Sequence, residues 1–355
     1  MTITIETKNL FIRVDSGLDI GLGHVMRCFA LAEVIKNMNF NVYFISKEIE
    51  GNVIKNVENY GYKVFRIDSK AIKSSKSHWK MDAVKTTKII QRFKNEKNLL
   101  LVDNYELSNM WETWLKLVVD KIIVIDDFLN RSHNCDLFID QNLHTSKKER
   151  NKINCKKLLG PKYALLRKEF IKSRKIVKKR SGKINRILVS FGGSDEKNQT
   201  LKVLEAIKKL AEEKINVDVI VGEPNKNKTK IKRICARMKN STYYQQPKNM
   251  AKIMNKADLA IGAGGIITWE RCCLGLPSVV SIVSKNQEDM INAISKKGCL
   301  INLGRAERLT SEDYLSAIRN LNSKKLIRMQ KKCMGLVDGK GTKRVAKHIS
   351  LIAKR

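Results

Sequence analysis

The sequence predicts an α/β protein of two doubly wound domains, each a parallel sheet covered by helices on both faces. Three observations predict it. Short, wholly apolar runs of strand length alternate with stretches of helical period. That alternation runs through once and then restarts in the second half. The chain, at 355 residues, is long enough for two domains of ordinary size. A strand buried on both faces reads as a continuous apolar run, which is what helices packed on either side of a parallel sheet produce.

Residues 10–14 read as the first strand and 25–36 as the first helix. Further strands follow at 42–45, 64–67, 99–102 and 122–125, with helical stretches near 80–93 and 109–119. The second round begins with a strand at 187–189 and a helix at 198–212. Strands at 217–221, 258–261, 279–283 and 300–303 complete it, with helices between them. The expected division is an N-terminal domain at 1–166, a basic linker at 167–182, a second domain at 183–340 and a final helix at 341–355.

Lys and Arg number 70 against 35 Asp and Glu, a net charge of +35. Such a field attracts polyanions, whether nucleic acid, anionic membrane or a diphosphate. Part of the excess is local: residues 147–183 carry 16 basic side chains against Glu149 and Glu169. The rest is spread along a Lys- and Asn-rich chain, which fits a general compositional bias. No nucleic-acid-reading motif and no interleaved aromatics accompany the basic stretch, so no specific nucleic-acid partner is expected. The eight cysteines form no CxxC pair and no zinc-spaced cluster with histidine; they read as reduced core thiols of a cytoplasmic protein, with no metal. Residues 1–8 lack an apolar signal core, and no apolar run reaches the length of a membrane span. A monomer without a cofactor is expected.

Three glycine turns carry the chemistry. Gly21-Leu22-Gly23-His24 lies between the first strand and the first helix. Gly21 and Gly23 allow a sharp turn and close ligand approach, and a helix start offers free N–H groups to an anionic or polar ligand. The helix dipole disfavours a cationic histidine there, which suits His24 to the work of a general base. The plain alternative is a loop histidine that only caps the turn. The second turn, Gly262-Ala263-Gly264-Gly265, runs from a buried strand into a helix that holds Thr268 and Glu270 and closes at Leu274-Gly275-Leu276-Pro277. Gly264 and Gly265 suit a phosphate cradle, and Glu270 suits the hydroxyls of a ribose. The alternatives are a tight corner and an acid that favours the helix dipole. The third turn, Gly192-Gly193-Ser194-Asp195, follows the first strand of the second domain and is placed to touch the same diphosphate; Ser194 or Asp195 serves equally as a helix cap.

With these motifs the chain resembles the UDP-sugar hydrolases of pseudaminic acid biosynthesis and the related spore-coat polysaccharide proteins. The resemblance rests on Arg13-Val14-Asp15-Ser16, Ile20 to Cys28, Asp103-Asn104-Tyr105, Ile125-Asp126-Asp127, Leu159 to Arg167, Phe191 to Asp195, Gly262 to Pro277 and Asp338 to Arg344. It implies a GT-B fold, two Rossmann-like domains facing a cleft. It also implies hydrolysis of a UDP-linked 2,4-diacetamido-2,4,6-trideoxy sugar at its anomeric carbon. His24 matches the catalytic histidine and Tyr105 a tyrosine near the sugar. Asp15, grouped with them, and Arg27, on the substrate side, take supporting parts. The family often has His where this chain has Asn104.

The expected mechanism follows. The second domain holds UDP through Gly192, Gly193, Ser194, Gly264, Gly265, Thr268 and Glu270, with backbone groups within 246–249 on the uracil edge. The sugar meets Gly21, Gly23, Arg27 and His24. His24 takes a proton from a water that attacks C1 opposite UDP, which gives inversion and C–O cleavage. Amides and a helix dipole meet the charge on the leaving diphosphate, so no metal is called for. The competing readings are a GT-B glycosyltransferase using the same donor and a basic nucleic-acid-binding protein.

Overall fold

In the computed structural model, which describes residues 7–18, 20–68, 78–128, 130–144, 153–210 and 214–354, the first apolar run becomes the centre of a seven-stranded sheet. Leu10, Ile12 and Val14 of β1 (Lys8–Val14) face one layer, and Phe11 and Arg13 face the other; all five are buried. The strand's two-residue period thus supplies both cores. Helix α1 (Gly23–Lys36) leads to β2 (Phe40–Glu48), α2 (Ile54–Asn59), β3 (Lys63–Asp68) and α3 (His78–Ile90). Then come β4 (Lys97–Asp103), α4 (Asn109–Leu115), β5 (Lys121–Ile125), β6 (Leu137–Asp140) and β7 (Lys156–Leu159). The order is β3-β2-β1-β4-β5-β6-β7, every pair parallel.

The second unit opens with α5 (Lys168–Arg174) and β8 (Arg186–Ser190), followed by α6 (Gln199–Lys208), β9 (Asn216–Val221), α7 (Lys228–Arg237), β10 (Ser241–Gln245) and α8 (Met250–Lys256). After these come β11 (Leu259–Ala263), α9 (Ile267–Cys273), β12 (Ser278–Ile282), α10 (Glu288–Lys296), β13 (Ile301–Arg305), α11 (Ser311–Arg319) and α12 (Ser323–Leu336). Its six parallel strands run β10-β9-β8-β11-β12-β13. Both sheets are doubly wound, as the alternating pattern predicts. The strands that pattern misses are β6, β7 and β10. Two of them, β7 and β10, lie at sheet edges, carry polar or basic residues and are mostly half-buried or exposed, so neither shows an apolar run. The other, β6, is only four residues long and follows a polar stretch.

The units comprise Met1–Asn142, Ser146–Arg167 and Lys340–Arg355 in one, and Leu143–Thr145 and Lys168–Gly339 in the other. The last helix, α13 (Gly341–Ile352), packs on α1, with Val345, Ala346 and Ile349 in the same core as Leu10 and Ile12. Two of the motif strings meet there. The Thr342 hydroxyl accepts from the Leu166 amide at 2.8 Å and donates to the Leu166 carbonyl at 3.0 Å. A Cβ on Gly341 would stand 2.3 Å from the Ala164 carbonyl oxygen, so only glycine lets the backbones approach.

The segment read as a linker is a clamp within the second unit. Arg174 donates to the carbonyls of Cys273 and Met334, at the ends of α9 and α12. Arg180, 4% exposed, donates to Ala257 after α8 and to Leu274 and Gly275 after α9. Lys178 pairs with the buried Asp258 at 2.6 Å. Cations at helix C-termini satisfy orphan carbonyls and meet the negative end of the dipole. This part of the basic run is therefore spent internally. Residues 147–152 and residues 1–6 lie outside the described residues.

All eight cysteines are free thiols and seven are buried. Among the described residues no helix is long and apolar enough to cross a membrane. Thr342→Val should strip both bonds from the Leu166 backbone, at a cost of about 2 kcal/mol. The midpoint of thermal unfolding should fall by about 5 °C.

Candidate active site

The first sheet reverses its strand order between β1 and β4, and ladder pairing sets Val14 opposite Asp103. Ligands of doubly wound sheets bind beyond the strand ends at such a reversal. His24, Asp103, Tyr105, Asp127 and Asn142 all lie there, from the ends of β1, β4, β5 and β6. Gly21 holds φ at 77°, a conformation open to glycine, and turns the chain into α1; His24 is that helix's second residue.

His24 Nδ1 lies 2.5 Å from Asp103 Oδ1. A carboxylate there selects the tautomer with the proton on Nδ1, which leaves the lone pair on Nε2. Nε2 has no hydrogen-bond partner among the described residues, and the side chain keeps 11% exposure. Arg27, one helical turn on, grips Asp103 with two bonds of 2.6 Å and reaches Asp127 Oδ1 at 2.7 Å. Burial works against the Asp103 carboxylate, but Arg27 and His24 hold its pKa well below the usual carboxylate range. Asp127 is likewise lowered: burial opposes its charge and Arg27 outweighs it.

Tyr105 donates its hydroxyl proton to Asp127 Oδ2, and Asn142 Nδ2 donates to Asp127 Oδ1 at 2.7 Å. The Tyr105 ring meets His24 edge-on, centroids 4.6 Å apart, and Phe128 backs it at 4.9 Å. Burial and the Asp127 carboxylate push the phenol well up, so it stays neutral.

Asp15 and Arg27 act on the site through other residues. Asp15 Oδ1 accepts from Arg13 and from the Lys47 amide, and Oδ2 from Arg13 and Asn104 Nδ2. With both oxygens engaged and 2% exposure, it positions Asn104, the neighbour of Tyr105. The Arg27 guanidinium is fully buried and bound to two carboxylates, so it orders the site from beneath. The sequence assigns no role to Asp103 or Asp127, although each is an acid just past an apolar run. Asn142 had none, because β6 shows no strand pattern.

The second sheet reverses between β8 and β11, and the turns at 192–195 and 262–265 flank that reversal. Gly262 pairs with Ser190, and a Cβ on it would come 2.0 Å from the Ser190 carbonyl oxygen. A Cβ added at Gly192 or Gly193 would meet nothing within 4 Å, so that turn opens outward. Gly264 abuts Ile291, and Gly265 is half-buried beside Gln287. Ser194 is half-buried, whereas Asp195 accepts from the amides of Gln199 and Thr200 and caps α6. Thr268 is buried, and its hydroxyl accepts from Arg271, which also bonds the Ala263 carbonyl at 2.6 Å. These bonds brace the turn from inside. Glu270 is 8% exposed on α9. In the stretch expected to read uracil, Asn249 caps α8 through Lys252 N and Gln246 adopts φ 46°. Gly222 belongs to no motif legible in the sequence, yet a Cβ on it would stand 2.3 Å from the Gly193 carbonyl oxygen, so it shapes the turn at 192–193. Among the described residues no group of three or more His, Cys, Asp or Glu is placed to hold a metal ion.

The glycosyltransferase family 28 C-terminal domain matches residues 187–349, from within β8 into α13. The chain is 27% identical over 296 residues to the UDP-2,4-diacetamido-2,4,6-trideoxy-beta-L-altropyranose hydrolase of Campylobacter jejuni, covering 82% of this chain and 97% of that protein. It is 25% identical over 345 residues to the spore coat polysaccharide biosynthesis protein SpsG of Bacillus subtilis, covering 94% and 95%. An uncharacterized protein of Methanocaldococcus jannaschii is 28% identical over 299 residues; the match covers 81% of this chain but only 58% of that longer protein. Among solved structures, MurG of Acinetobacter baumannii superposes with a TM-score of 0.67 at 14% identity, covering 98% of this chain and all of that one. The fold is α/β and GT-B-like.

Beside the site, His133 is clamped between Glu112 (2.7 Å) and Asp126 (3.2 Å). Burial opposes its charge, but the two carboxylates raise its pKa to about 9. Its contribution to stability is present in full below the unfolded value near 6.5 and is lost as pH rises through about 9. Unfolding free energy should fall by about 2 kcal/mol between about pH 7 and pH 10. Denaturant titrations of His133→Gln should lack that slope.

Proposed function

We propose that this chain hydrolyses a UDP-linked 2,4-diacetamido-2,4,6-trideoxy hexose at the anomeric C–O bond, with inversion and release of UDP, as a step toward a pseudaminic-type nonulosonic acid. The observation that carries the reading is His24: Nδ1 lies 2.5 Å from a buried carboxylate, and Nε2 has no hydrogen-bond partner among the described residues. The name of the Campylobacter relative supplies the substrate class.

In this reading Nε2 takes a proton from water as the water oxygen bonds C1 and the C1–O bond to UDP breaks. The imidazolium that forms lies against Asp103. Before proton transfer, Asp103 and Asp127 carry one negative charge more than Arg27 supplies, so the proton arrives at a site that already holds its counter-charge. Tyr105, neutral and tied to Asp127, presents its oxygen as an acceptor for a sugar N–H or O–H and serves as a wall rather than as a base. The turns at 192–194 and 262–265 take the diphosphate and Glu270 the ribose, and the diphosphate leaves as an anion without needing a protein acid.

A second reading, a glycosyltransferase using the same donor, is favoured by the family 28 match to the second unit. The two part in one assay: UDP release from a panel of UDP-sugars with no acceptor added. Hydrolysis predicts turnover by the wild type and its near loss in His24→Ala. Asp103→Asn keeps the shape but loses the anion that selects the tautomer; it should lower kcat by about a thousandfold with little change in KM. Turnover only when an acceptor sugar or lipid is supplied would establish the second reading. Wild-type rates in His24→Ala would remove His24 from the chemistry.

A further inference from the structure

Of the eight thiols only Cys155 reaches solvent, and it is half-buried. Its sulfur lies 3.3 Å from that of Cys135, which is 6% exposed. The fold of the first sheet brings the two together. Cys135 stands two residues before β6 and Cys155 one residue before β7, and the parallel ladder pairs Leu137 with Lys156. One step back from that pair sets Cys155 beside Asp136, so Cys135 is its diagonal neighbour. Adjacent strands lie about 4.8 Å apart, which puts such neighbours within the Cα separation that a disulfide spans.

Cys135 is held on both sides. The Asn134 amide donates to Glu112 Oε2 at 2.5 Å, and the Asp136 carboxylate accepts from the Ile122 amide at 2.8 Å. The Cys135 sulfur is thus presented from an anchored backbone. A disulfide needs about 2.05 Å between sulfurs, a distance that side-chain rotation can reach from the present contact.

The two thiols are unlike. Donation from Cys135 holds the Cys155 thiol below its ordinary value; burial and Asp136 oppose this, and Lys157 and the His133 cation favour it. The same bond, together with burial, pushes the Cys135 thiol well up. A reachable, thiolate-prone sulfur beside a buried second thiol suits attack by the first and resolution by the second. Cys299 is also held low, by donation from Cys333, but these two are 2% and 1% exposed and out of reach of an oxidant.

We propose that Cys135 and Cys155 form a redox site that a hydroperoxide converts to an intrachain disulfide. The Cys155 thiolate attacks one peroxide oxygen and the O–O bond breaks. Cys155 becomes a sulfenic acid, and the departing oxygen leaves, protonated, as water when the oxidant is hydrogen peroxide. The Cys135 sulfur then bonds to that of Cys155 as the S–O bond breaks, and the Cys135 proton leaves with the hydroxide as a second water. Two thiols are oxidised and one peroxide is reduced; a small thiol such as dithiothreitol restores the pair. The bond ties the entrance of β7, an edge strand, to that of β6. The site is independent of the hydrolytic reading.

The test is hydrogen peroxide added to the full chain, followed by thiol titration in denaturant and peptide mass spectrometry. The wild type should lose two of its eight titratable thiols and yield one cross-linked peptide pair holding Cys135 and Cys155. Its Tm should rise by about 5 °C and return with dithiothreitol. Cys155→Ser should keep its thiols at the same dose. Cys135→Ser should stop at the sulfenic acid, which dimedone labels at Cys155, and Cys135→Ala, which buries no hydroxyl, should do the same. Three results would overturn the proposal: a wild type that keeps all its thiols, a two-thiol loss that persists in Cys155→Ser, or a disulfide that joins two chains on a non-reducing gel. The second would assign the oxidation to another pair, and the third would make Cys155 an exposed thiol without a resolving partner.

Discussion

One buried guanidinium organises the first unit. Arg27 has no exposed side-chain surface, and it binds the carboxylates that close β4 and follow β5. Burying a charge is costly unless it is paired and hydrogen-bonded. Here the geometry is a two-bond fork on Asp103 and a third bond on Asp127. That cation lets two acids stay ionised side by side, and each then holds a partner: Asp103 the imidazole of His24, Asp127 the phenol of Tyr105. Remove the cation and both placements lose their cause.

The same solution appears twice in the first sheet. Arg13, also fully buried, ties Asp15 to Asp82, and Trp111 donates to Asp82 at 3.0 Å. Asp15 then holds Asn104. The two networks emerge from neighbouring strands and hold the two residues before Tyr105, Asp103 and Asn104. The second unit is built differently. Its strand reversal is bordered by glycines packed against backbone, with Gly262 on Ser190 and Gly222 on Gly193, and Arg271 braces the turn from inside. The first reversal presents fixed side chains and the second presents close-packed backbone.

Much of this was legible before any coordinates. Ten of the thirteen strands show as apolar runs, because a strand covered on both faces has no solvent side to carry polar residues. The glycine turns and His24 stand out because their residue types are rare at strand–helix junctions without a geometric reason. The basic stretch misled: 167–182 reads as a linker, yet Arg174, Lys178 and Arg180 are spent on the carbonyl ends of α8, α9 and α12 and on Asp258. Charge counts cannot tell a solvated lysine from one that caps a helix.

By itself, then, the sequence determined the α/β class, the two rounds of winding and the glycine-bearing strand–helix junctions, since periodicity and glycine are local properties of the chain. Only the tertiary structure decided which acid serves which partner. Asp15, Asp103 and Asp127 look alike as residues just beyond apolar strands. Their roles separate because strand order and register set Asp103 beside His24, put Asp127 within reach of Tyr105 and close Arg13 around Asp15. The first two pairings join residues 79 and 22 positions apart, and no pattern within a single element encodes them.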